Sequence, residues 1–144
     1  MTNMLARIGC LEALVFLGLA LLHVYWAFGG RIGIAAAIPE RDGKPLFQPG
    51  PAATLVVAAL LLCASALILE RAGLGRDLLP ARLRLWGTGG LAAVFVARAI
   101  GDFNHVGFFR RPRATVFAKR DTRFFSPLAL ALGLGAGILA WGGH

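Results

Sequence analysis

IGCLEALVFLGLALLHVYWAF, residues 8–28, decides the fold. A helix needs about 20 mostly apolar residues to cross the hydrocarbon core of a bilayer, and this run has that length. Arg7 ahead of it mimics the basic flank of a signal peptide. The run is long for the apolar part of a signal, however. It ends in His23-Val-Tyr-Trp-Ala-Phe-Gly-Gly30 rather than at a small-residue cleavage site, so it is read as a retained membrane anchor.

Three further stretches of the same kind follow, at about 52–69, 83–105 and 124–141. The apolar part of the third is Leu83 to Ile100. The fourth carries Pro127 in its first turn, where a missing N–H costs little. The whole composition agrees. Of 144 residues 58% are hydrophobic and 15% charged, with a mean hydropathy of +0.72, whereas a soluble domain is about 45–50% apolar and about 25% charged. A soluble chain this short could not hide so much apolar surface, and disordered chains are poor in apolar residues. The expected fold class is therefore all-α: one domain over residues 1–144, a polytopic antiparallel bundle of four transmembrane helices. Cys10 and Cys63 form no C-x-x-C pair and are expected as small buried apolar residues.

Antiparallel connectivity puts loops one (29–51) and three (104–123) on one membrane face, and loop two (70–82) with both termini on the other. Nine basic residues fall on the first face and five on the second, leaving Arg98 within the apolar zone. The positive-inside rule makes the nine-residue face cytoplasmic. The net charge of +8 is thus a loop property suited to anionic lipid headgroups. With no nucleic-acid motif, nucleic acid is not expected as a partner. The run Phe108-Phe109-Arg110-Arg111-Pro112-Arg113 reads as an interfacial aromatic and basic segment. The expected location is the cell membrane, a bacterial inner membrane.

Function would show in polar residues at membrane depth, which are expensive and face a bundle interior with a partner. Glu12 and His23 lie eleven residues apart, close to three helical turns, and share a face with Phe16, Leu19 and Trp26. On helix three, Arg98 and Asp102 stand at i, i+4 and His105 three beyond, so Arg98 can pair with Asp102 and Asp102 can orient His105. The His23–Trp26 end of helix one and the Arg98–His105 end of helix three meet at one membrane face, with Asp121 and Ser126 at the same level. The plain alternatives are that Tyr25 and Trp26 are interfacial anchors and that Arg98–Asp102 is a structural ion pair. Two histidines without a further Cys/His cluster do not make a metal or haem site, and no cofactor is expected. Gly133 and Gly137 form a G-x-x-x-G that permits close helix approach, within the monomer or in a homodimer.

Several strings occur in register: His23-Val-Tyr-Trp-Ala-Phe-Gly-Gly30, Arg98-Ala-Ile-Gly-Asp102-Phe, Val106-Gly-Phe-Phe109, Thr115-Val-Phe-Ala118 with Asp121, and Phe125-Ser-Pro-Leu128. Together they resemble a family of small bacterial membrane proteins known as domain of unknown function 3995. The resemblance implies a four-helix membrane protein and no particular chemistry.

The residues themselves point to a site for a lipophilic small molecule, bound or acted on by acid–base chemistry. Asp102, His105, His23 and Arg98 would be its working groups, with Arg98 setting the carboxylate or holding an anionic group. Tyr25 would donate a hydrogen bond and Trp26 with Phe103 would stack, with Asn104, Asp121 and Ser126 lining the same level. No nucleophile elbow, phosphate loop, dinucleotide fingerprint or zinc motif is present. A small transporter or proton pathway and a non-catalytic membrane scaffold are the alternatives.

Overall fold

The computed structural model describes residues 2–42, 44–101, 105–109 and 115–142. Four long helices dominate. Helix α1 runs Thr2–Ala27, α3 Pro51–Arg71, α4 Ala81–Ile100 and α6 Ser126–Gly142. Two short helices, α2 (Ile34–Ala37) and α5 (Val116–Arg120), lie in loops one and three. Helix α5 runs through a π-helical turn, Asp121–Phe125, straight into α6. Loop one also holds a two-residue antiparallel ladder, β1 (Glu40–Arg41) with β2 (Lys44–Pro45). The four spans are each long and apolar enough to cross a membrane, and the fold is all-α as expected.

Helix α1 packs along α3 and α4 along α6, while α1 also touches α6. The centre is made by Ala13, Phe16, Ala64, Ile68, Ala92, Leu132, Ala136 and Leu139. Four of these eight are alanines, which allow the helices to approach closely. Gly133 is one such point between α4 and α6: a Cβ there would press on Val96 and on the Ala92 carbonyl oxygen of α4. Many large apolar side chains point outward, among them Leu11, Leu14, Leu21, Leu60, Val94 and Leu134. That inversion suits a lipid solvent, in which an exposed leucine has no reason to hide. Trp86 and Trp141 are exposed on the loop-two half and Tyr25 on the other, as aromatic belts require. Phe108 and Phe109 are exposed too, and residues 110–114, the basic part of that run, lie outside the described residues.

Three expectations are corrected. Cys10 and Cys63 are exposed rather than buried. They sit on outer helix faces, where lipid serves a small apolar side chain as well as protein does. Helix three stops at Ile100 instead of reaching 105, because Gly101 turns the chain at φ 90°, ψ −173°. Loop three then folds back over the helix end, with Phe108 N–H donating to the Ala99 carbonyl at 2.8 Å. A carbonyl left open at a helix end is satisfied in this way. The fourth span begins at Val116 rather than 124, so Pro127 is internal to a continuous helical run. The π-helical turn lies just ahead of Pro127. A proline ring clashes with the carbonyl four residues back, which is Arg123, and a widened turn there relieves the crowding.

Candidate functional site

Asp121 is the hub of the loop-one/loop-three end. It is fully buried at the start of the π-helical turn. Its Oδ1 accepts from Arg98 Nη2 at 2.6 Å, and its Oδ2 accepts from the Gly107 backbone N–H at 2.8 Å and from Ser126 Oγ at 3.1 Å. One carboxylate thereby ties α4, loop three and α6 together. A carboxylate so deep in a membrane protein is tolerable because a guanidinium and two neutral donors replace its water.

Arg98 thus takes Asp121 as its partner. The expected pairing with Asp102 relied on helical spacing, and the helix ends at Ile100 before reaching that residue. Asp102, Phe103 and Asn104 lie outside the described residues. The other terminal nitrogen of Arg98, Nη1, is buried with no hydrogen-bond partner among the described residues.

His23 is half-buried near the end of α1. Its Nδ1 lies 2.8 Å from the Leu19 carbonyl, which can only accept, so Nδ1 is the donor of that bond. The ring stands edge-on to Trp26 at 5.0 Å. Trp26 in turn donates from Nε1 to the Ile32 carbonyl at 2.9 Å and so pins loop one over the helix end.

A cavity of about 430 Å³ opens between these elements. Helix α1 lends it Leu19, Leu22, His23 and Trp26; α3 lends Thr54 and Val57; α4 lends Phe95 and Arg98; Phe125 and Leu132 come from the fourth span. Loop one closes part of the rim through α2 and Phe47. The volume lies within the roughly 300–1,000 Å³ of small-molecule sites, and the mostly apolar wall with a few polar groups has their usual character.

The family model described as a protein of unknown function (DUF3995) matches residues 16–136, from mid-α1 to deep in α6. The chain belongs to the DUF3995 family. That match spans every element of the cavity. No curated protein and no solved structure matches the chain.

The structure distributes the expected site residues of this DUF3995 chain unevenly. His23, Trp26 and Arg98 line the cavity. Asp121 and Ser126 stand behind Arg98 as its support. Tyr25 lies outside the cavity wall, with its ring against the Gly30 backbone and part of it exposed. His105 is half-buried in loop three and is also outside the wall. Sequence reasoning missed Thr54, whose hydroxyl donates to the Gly50 carbonyl at 3.0 Å at the cavity edge. A lone threonine following Gly-Pro in an apolar helix carries no signal beyond an ordinary helix start. Glu12 belongs to a different level. Its carboxyl lies against the backbone of α6 at Gly135 and Ala136, with neither oxygen in hydrogen-bond geometry to a described donor.

Proposed function

We propose that this DUF3995 protein is a multi-pass protein of a cell membrane that binds a lipophilic small molecule in the cavity between α1, α3, α4 and the fourth span. The observation that carries this reading is a 430 Å³ cavity, apolar over most of its wall, into which a histidine and an ion-paired arginine are set. Structural economy alone gives no reason to leave such a space open in so small a bundle, since close packing is worth more than a void. A ligand drawn from the bilayer meets apolar side chains over its length and two polar groups at one end. Acid–base chemistry would fall to His23.

A continuous proton or ion path fits less well. The Phe16 ring is fully buried one turn above Glu12 and meets Phe95 edge-on at 5.3 Å. That aromatic pair separates the Glu12 level from the cavity.

The test is purification in mild detergent followed by mass spectrometry of bound lipophiles. Ala53, on the cavity wall and exposed, is a site for a blocking side chain. Wild type is expected to carry a lipophile that Ala53→Phe and His23→Ala lose or hold at a reduced level. Equal loading of all three proteins overturns the assignment of the site.

A further inference from the structure

The exposed part of the cavity wall marks where the space opens, and the opening bears on its occupant, on the reading that a lipophile is held there. Four lining residues are exposed: Phe47, Pro49, Ala53 and Val57. All four lie along the end of loop one and the first two turns of α3. The lining residues of α1, α4 and the fourth span are half-buried or buried. So are Ile34, Ala37 and Ile38 of loop one, which roof the space, with α2 packed against α5. The mouth is therefore a strip beside α3. Val57 lies about 9 Å beyond the start of that helix at the α-helical rise, so the strip runs from the membrane face into hydrocarbon. None of its four side chains is polar.

The polar side chains inside are His23, Trp26, Thr54 and Arg98. Each already makes a hydrogen bond within the protein: to the Leu19, Ile32 and Gly50 carbonyls and to Asp121. A hydrocarbon guest takes none of these partners away. Arg98 Nη1 is buried and does not reach the space. What the wall leaves over is the second nitrogen of His23 and the lone pairs of Thr54 Oγ1. An ordered water needs about two to four polar partners, and most of this wall offers none. An empty space of this size would forfeit the dispersion contacts of its lining. The fluid at the mouth is acyl chain.

We infer that the cavity is filled from the side by an acyl chain of a bilayer lipid, which turns in past Ala53 and Val57 while its headgroup stays at the membrane face. The lipophile is then a chain-bearing lipid of the same leaflet, and not a compound delivered from water through the loops.

The experiment places the whole protein in nanodiscs of phosphatidylcholine that include phosphatidylcholine with a mid-chain diazirine. After illumination, peptide mass spectrometry locates the adducts. Ala129 and Leu132 are buried and line the cavity, so a chain labels them only from within it. Leu14 and Leu134 are exposed, line no part of it and report the surrounding lipid. Wild type is expected to carry adducts on both sets. Ala53→Phe and Val57→Phe, two separate plugs at exposed positions, are expected to lose the inner adducts and keep the outer ones. Adducts confined to the outer set in wild type, or inner adducts that persist in both variants, overturn the acyl-chain assignment. So does inner labelling by a water-soluble diazirine in place of the lipid one. In each of those cases, a lipophile that wild type carries through mild detergent and Ala53→Phe loses leaves the cavity reading standing. Equal loading of those two proteins overturns the cavity reading itself.

Discussion

Arg98 and Asp121 lie 23 residues apart and meet at 2.6 Å. An arginine in an apolar stretch demands a partner, and that demand was legible in the sequence. Which partner was not, because i, i+4 arithmetic holds only while the helix continues, and it stops at Gly101. Removing the carboxylate would leave a guanidinium in a low-dielectric site and strip an acceptor from Gly107 and Ser126. Asp121→Asn is therefore expected to lower stability by about 3 kcal/mol, the lower end for a broken buried pair because Arg98 keeps a third of its side chain exposed. SDS-unfolding titrations in mild detergent measure it. The double variant Asp121→Asn/Arg98→Met is expected to recover part of the loss, since the orphaned charge is then gone. A double variant that loses the sum of both single effects would show that the two side chains act independently.

The helices were legible as elements because each span is an unbroken apolar run, and lipid leaves the backbone no alternative to helix. Their ends were not, because ends depend on backbone angles and on what folds back over them. Gly101 shows both at once. Its φ of 90° lies where L side chains are strained, and a Cβ would run into the Val106 carbonyl oxygen. The same close approach brings Gly107 into reach of Asp121. Gly101→Ala is expected to cost at least about 2 kcal/mol in the same titration, with Arg98 and Asp121 intact. Gly18→Ala is the matched control. It lies within α1, has nothing within 4 Å of its Cβ position, and is expected to stay within about 1 kcal/mol of wild type. Equal losses at both glycines would remove the special standing of the α4 terminus. The π-helical turn before Pro127 belongs with these unreadable ends: a proline announces trouble in a helix, but not whether the chain starts there or widens to pass it.

At the scale of the whole molecule, four alternating spans would put each loop on a definite face, and the charge bias then predicts which face is which. Nine basic residues belong to loops one and three and five to the other side. The bias counts only if those residues are free to act as topology signals rather than parts of a site. Arg98 is bound into the Asp121 cluster and is excluded on that ground, whereas the side chain of Arg41 is largely exposed. The rule then predicts that loops one and three are cytoplasmic and loop two external. Single cysteines in a Cys10→Ser/Cys63→Ser background test this with a membrane-impermeant maleimide on intact cells. Both native thiols face outward from spanning helices, so their replacement by serine removes background without opening the core. Leu78→Cys, exposed in loop two, is expected to label in intact cells. Ala35→Cys, exposed in loop one, is expected to label only after the membrane is opened. The reverse pattern would invert the molecule and put the mouth of the His23–Arg98 cavity on the external side. The proposed lipophile would then enter from the outer leaflet.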